Sequence, residues 1–170
     1  MKRILLALWV GALLVGCGKL PVPAGRLLQP AGRFSFVTPD EWHRSQLVGM
    51  DFIIVLTNAD AGISPNIFVD GAPRPGTVSN QVANLLAANR AGIQKYTVIG
   101  QRDIATDSGL KGVKIEAQRE MQNGLRVALF HYRLQDGARV IGLTCSCADA
   151  VKAKYEPIFD AAMQSLRPER

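Results

Sequence analysis

Cys145-Ser146-Cys147 carries the most chemistry per residue in this chain. Two thiols one residue apart can close a disulfide, hold a soft metal or lie inert. Residues i and i+2 of a strand face the same side, with Cα atoms near the ~6.8 Å upper limit for a disulfide, so closing the bond requires Ser146 to leave extended geometry. A bond strained in that way is readily reduced, as redox-active disulfides are. Alternatively, Cys145 and Cys147 continue the face of Ile141 and Leu143 as partly buried thiols. A third reading is a Cu(I)-type site with His131, on the neighbouring strand, as a further ligand; no fourth ligand is visible. At the level of sequence all three stay open.

Other candidates for catalysis are weaker. The chain has two histidines. His43 follows Trp42 in a turn and reads as a surface residue, and His131, between Phe130 and Tyr132, reads as a hydrogen-bonded sheet residue. Ser108-Gly109-Leu110-Lys111 has the Ser-x-x-Lys spacing of penicillin-binding enzymes, but their companion Ser-Asp-Asn and Lys-Thr-Gly motifs are missing, and the stretch reads as a turn. No Walker loop, dinucleotide fingerprint, His-Glu-x-x-His or Gly-x-Ser-x-Gly is present, and the acidic residues are scattered singly. The expectation is a protein without a cofactor and not an enzyme, with a thiol-redox or soft-metal role for Cys145 and Cys147 as the alternative.

A third cysteine stands near the start. Met1-Lys2-Arg3 is a basic leader, Ile4 to Val15 is apolar, and Leu14-Val15-Gly16-Cys17 ends the stretch. Apolar signal segments run to ~7–15 residues whereas a spanning helix needs ~20. The ending resembles the lipobox of bacterial lipoprotein signal peptides. That resemblance implies cleavage after residue 16, acylation of Cys17, and anchoring without a membrane span. Gly18 and Lys19, with no Asp after the cysteine, resemble the pattern that sends lipoproteins to an outer membrane facing the periplasm.

Of 170 residues with net charge +6, cleavage there leaves 154 with +4, since Lys2 and Arg3 depart. A composition 48% hydrophobic and 20% charged excludes a disordered chain, and three cysteines are too few for a disulfide scaffold. Lys and Arg are dispersed and aromatics sparse, which argues against nucleic acid as partner. The residual positive charge favours a membrane-facing orientation over anionic lipid.

The elements that position these residues follow from periodicity. Residues 17–32, with Pro21, Pro23 and Pro30, read as a lipidated cysteine and Pro/Gly tether, and 33–170 as one globular domain. Phe34–Val37, Met50–Thr57 and Asn66–Val69 read as strands, and Gly71–Gly76 as an exposed loop. A helix starts at Thr77 or Ser79, shows Val82, Leu85, Leu86 and Asn89 on one face, and ends with Gly92 as the residue after its cap. Tyr96–Ile104, Gly112–Met121, Leu125–Leu134 and Arg139–Cys145 form a meander whose turns contain Asn123-Gly124 and Asp136-Gly137. Val113, Ile115 and Ala117 alternate with Lys114, Glu116 and Gln118, which predicts one solvated sheet face. Ser146 and Asp149 have capping-box spacing before a last helix with Val151, Tyr155, Ile158, Phe159, Ala162 and Leu166 on one face, interrupted near Pro157.

The order strands, helix, meander, helix means an α+β domain. Phe34-Ser35-Phe36-x-x-Pro39-x-x-Trp42, the segment Gly109-Leu110-Lys111-Gly112 and the closing Tyr155-x-Pro157-x-Phe159 with Ser165-Leu166 resemble the PsbP-like group, which includes DcrB-type envelope lipoproteins. The resemblance spans Phe34 to Leu166. It implies an antiparallel sheet sandwiched by helices and a binding or assembly role, with membrane lipid at Cys17 and an envelope protein or polymer as partners.

Overall fold

The computed structural model describes residues 25–45 and 53–169, with backbone alone at Ile53. Cys17, the leader, the first part of the tether and residues 50–52 lie outside the described residues. Eleven strands and two helices follow one another as β1 (Arg26–Gln29), β2 (Phe34–Val37), β3 (His43–Ser45), β4 (Ile53–Leu56), β5 (Asn66–Val69), β6 (Arg74–Pro75), α1 (Val78–Gly92), β7 (Thr97–Ala105), β8 (Lys111–Glu120), β9 (Arg126–Asp136), β10 (Arg139–Ala148), α2 (Lys152–Gln164) and β11 (Arg167–Pro168). The architecture is α+β, as expected.

The main sheet is antiparallel in the order β3-β4-β5-β10-β9-β8-β7, with β6 added along β10. Its centre is the meander, whose turns work because Gly109, Gly124 and Gly137 take positive φ that a side chain would oppose. Helix α1 covers one face of this sheet. Helix α2 and a small sheet, β1-β2-β11, cover the other. Under α2 lies the larger core: Phe34, Phe36, Phe130, Phe159 and Leu166 are at most 1% exposed, and Trp42 meets Phe159 edge-on at 6.0 Å. Burying each such side chain contributes about 1.5–3 kcal/mol.

Several local expectations change. Residues 26–29, read as tether, form a strand whose Leu27 is buried, and Arg26 docks through Nη2 to the Ser165 carbonyl at 2.6 Å. The domain thus begins before residue 33. Within the Gly71–Gly76 loop, Arg74 and Pro75 pair with Val140 and Arg139. Thr77 does cap α1, its Oγ1 accepting from the Asn80 amide at 3.4 Å. Gly92, however, is the last helical residue, and Ile93 caps in extended geometry. Pro157 does not interrupt α2: it sits on the exposed side, and buried Tyr155, Phe159 and Ala162 hold the opposite side to the sheet. Ser146 is no cap either, because β10 continues through it to Ala148 and its hydroxyl receives Asn66 Nδ2 at 2.8 Å.

The predicted solvated face of β8 is covered. Lys114 is 2% exposed and donates to Glu156 and Asp160 of α2, each at 2.7 Å, while Glu116 receives Lys152 at 2.7 Å. Polar alternation on a strand here marks a face matched by charges on a helix, not a face open to water.

Candidate functional cleft beneath the first helix

Two-residue periodicity in adjacent strands sorts the chemistry. In register, His131 of β9 lies beside Thr144 of β10, and Phe130 lies beside Cys145. His131 and Thr144 therefore face α1, while Cys145 and Cys147 face α2. A shared metal site for His131 and the thiols is excluded by this register, and among the described residues no group of three or more potential ligands could hold a metal ion.

Both thiols are free and buried, at 1% and 0% exposure, in unbroken strand geometry. Burial pushes the Cys145 thiol well up and the Cys147 thiol to about 11. Of the three readings, the inert thiols continuing the Ile141 and Leu143 face describe the structure. The redox reading needed exposed sulfurs and falls. Ser108 is likewise structural: its hydroxyl donates to the Leu166 carbonyl at 2.8 Å and pairs with Thr106, tying the β7–β8 turn to the end of α2. His43 is half-buried in β3, paired with Leu56, rather than on a surface turn.

The face toward α1 holds a cleft of about 540 Å³. Its roof is the α1 face carrying Gln81, Leu85 and Asn89, and its floor comes from β5, β8, β9 and β10. That volume falls within the ~300–1,000 Å³ of small-molecule sites. Gln135 fixes the N-terminal end of the helix, with Oε1 accepting from the Val78 amide and Nε2 donating to the Gly76 carbonyl, both at 3.0 Å. Val82, Leu85 and Leu86 pack on Val113 and Ile115, so the predicted stripe does seat the helix.

His131 is the centre of the floor and 3% exposed. Its Nδ1 lies 3.1 Å from Thr144 Oγ1, and its Nε2 lies 3.3 Å from Tyr96 Oη and 3.5 Å from Asn89 Nδ2. With the Asn89 amide and the Tyr96 hydroxyl donating to Nε2, the proton sits on Nδ1 and points to Thr144. Burial, aided by the nearby Arg133 charge, lowers the His131 pKa to about 4, so the ring is neutral at pH 7.

One row along, Asp70, Gly142 and Arg133 lie side by side across three strands. Arg133 Nη1 donates to the Tyr132 and Leu143 carbonyls at 2.7 and 3.0 Å, and Nη2 stands 3.9 Å from Asp70 Oδ2. Gly142 makes this row possible. A Cβ there would lie 2.2 Å from Asp70 Oδ2 and 3.0 Å from Arg133 Nη1. Sequence reasoning missed Arg133, Gly142, Gln135 and Arg119, which also lines the cleft. The available signal was Gly142 and Thr144 alternating with Ile141, Leu143 and Cys145.

No family model matches the chain, and no curated protein matches it in sequence. Solved structures do share its fold. A protein of unknown function from Pseudomonas aeruginosa, described as a putative regulator, aligns with TM-score 0.59 at 18% identity, over 80% of this chain and 92% of the other. Cyanobacterial PsbP from Synechocystis aligns with TM-score 0.60 at 14% identity, over 91% and 98%. LpqN of Mycobacterium tuberculosis, described as involved in cell envelope biogenesis, aligns with TM-score 0.54 at 11% identity, over 81% and 83%. The fold is thus PsbP-like, as the motifs between Phe34 and Leu166 led us to expect. Among the described residues no helix is long and apolar enough to cross a membrane.

Proposed function

We propose that the protein is a lipid-anchored cell-envelope module that binds its partner in the cleft under α1 without chemical conversion. The observation that carries this reading is the state of His131. Both ring nitrogens are engaged within the protein, by Thr144 on one side and by Tyr96 and Asn89 on the other. A ring so occupied joins helix to sheet and has no nitrogen left to accept a substrate's proton. The roof and floor of the cleft offer the mixture of apolar and polar groups that binding sites present, with Leu85 and Leu129 beside Asn89 and Arg133.

The envelope assignment draws on the basic leader, the apolar segment and the Gly16-Cys17 ending. It agrees with the envelope-biogenesis role stated for LpqN, whose fold is similar. Two acyl chains on Cys17 would give stable attachment where one gives reversible attachment, and the sequence after the cysteine favours an outer membrane.

The test is a pair of experiments on the full chain in its native membrane. Cys17→Ser is expected to move the protein from the membrane to the soluble fraction; continued partitioning with membrane sinks the anchor. A photo-crosslinker at Asn84, on the cleft rim, is expected to capture a defined partner or ligand that the same crosslinker at exposed Lys111 does not. Equal yields at the two positions sink the cleft.

A further inference from the structure

Arg119 is an unusual guanidinium. It sits in β8 on the face toward α1, half-buried in the cleft wall beside Ile93. Its Nε is fully shielded from solvent and donates to no acceptor among the described residues. Among the described residues no carboxylate pairs with it. The neighbouring Glu120 pairs with Lys95, and the acidic group on the cleft floor, Asp70, faces Arg133 at the far end. A shielded N–H without an acceptor is costly, and an unpaired guanidinium held beside a cavity is a planar fork for a carboxylate or phosphate.

The rest of the cleft indicates what would hang from that acidic group. Between Arg119 and the His131 centre the walls are Leu85, Ala88, Ile93 and Leu129, with the Asn89 amide at the end. His131 is neutral, and at the far end Arg133 faces Asp70 while the exposed Arg74 adds a further positive charge. The cleft is therefore positive at both ends and apolar between them, and Arg119 is the guanidinium beside the apolar walls.

We infer that Arg119 is the anchoring residue for a small organic anion, its carboxylate or phosphate on the guanidinium and its apolar body under α1. This rests on the binding function proposed for the cleft and assigns that cleft a chemical class of ligand. The acid group meets the guanidinium where it lines the cleft, and the ligand contributes the negative charge that no described carboxylate supplies to Arg119.

The experiment follows the Arg119 Nε–Hε resonance of the full chain carrying Cys17→Ser by NMR while hexanoate, acetate, inorganic phosphate or uncharged hexanamide is added. Hexanoate or phosphate is expected to shift that resonance saturably, with hexanoate tighter than acetate and a Kd of about 1 mM or better. Hexanamide is expected to leave it unmoved. In Arg119→Met the hexanoate-induced shifts of Leu85 and Leu129 should vanish, and in Arg119→Lys they should persist at weaker affinity. Overall amide spectra of both variants report that the fold is kept. The anion assignment is overturned if no anion moves the Arg119 resonance, or if Arg119→Met binds hexanoate as the parent does. Binding of hexanamide under α1 as tightly as hexanoate overturns it too, while leaving the cleft itself standing. Preference for phosphate over hexanoate places the ligand among phosphate esters, and the reverse among carboxylic acids.

Discussion

Lys114 Nζ lies 2.7 Å from Asp160 Oδ1, joining a buried cation on β8 to helix α2. The two partners are unequally buried: the lysine side chain is 2% exposed and the aspartate 26%. Glu156 Oε1 completes the ammonium at 2.7 Å, and the Tyr132 hydroxyl donates to the same Asp160 oxygen at 2.7 Å. The ammonium also stands over the Phe130 ring, 4.7 Å from its centroid.

That inequality makes the cost of breaking the cluster depend on which partner leaves. Removing both carboxylates (Glu156→Ala with Asp160→Ala) strands a buried ammonium and is expected to destabilise by about 3–5 kcal/mol. Lys114→Met leaves two carboxylates that still reach water and Arg102, and is expected to cost about 1–2 kcal/mol. Denaturant midpoints of the variants decide the order; equal losses would show that the lysine is hydrated.

His131 makes stability depend on pH in a defined direction. Its folded pKa, about 4, lies below the ordinary 6.5, so between these values the unfolded chain binds more protons than the folded one. The ring's favourable contribution is fully present above pH 6.5 and is lost as pH falls toward 4, a span worth up to about 3 kcal/mol. His131→Asn should flatten this part of the profile. Unfolding curves of both proteins at pH 7 and 4.5 read the difference directly, and parallel profiles would mean the ring is not held neutral.

The buried thiols should be silent until the chain opens. With Cys147 near pKa 11 and burial pushing the Cys145 thiol well up too, neither supplies thiolate at neutral pH. In the Cys17→Ser protein, an aromatic disulfide reagent should react at the rate of unfolding, and in denaturant both cysteines should react at once. Rapid labelling of the native protein is the result that would falsify their burial.

Gly142→Ala is expected to loosen the far end of the cleft. The added methyl group must displace Asp70 or the Arg133 guanidinium, at a cost of about 1–3 kcal/mol. The cleft should register this as altered Arg133 Nε–Hε and Thr144 resonances, with α2 unaffected. Unchanged Arg133 signals would mean the row tolerates a side chain.

Local chemistry was legible in the chain before its structure. Thr77 as cap, the glycine turns of the meander and the Val82–Leu85–Leu86 stripe are written within a few residues of where they act. What covers a strand is not. The alternation in β8 shows that Lys114 and Glu116 share a face, yet the charges that meet them come from α2, some forty residues later. For the same reason the Cys145–Cys147 and His131–Thr144 faces could not be separated without the register of β9 against β10. Strands as short as β1, β6 and β11 carry too few residues for a period, and Pro157 misleads because the buried side of its helix outweighs one missing hydrogen bond.

Strand β2 takes its two neighbours from opposite ends of the domain, Arg26–Gln29 on one edge and Arg167–Pro168 on the other. Its second edge therefore waits until residues 167–168 have been synthesised before it is paired. Closing that loop has an entropic cost that the shorter turns of the meander do not carry, so this pairing is expected to form after theirs. The small sheet is thus a final clasp: its opening, with residues 167–168 peeling from Phe34 and Ser35, is the lowest-order unfolding event the topology permits. It would unpair the backbone of Phe34 and Ser35 while leaving the meander, α1 and the cleft between them assembled.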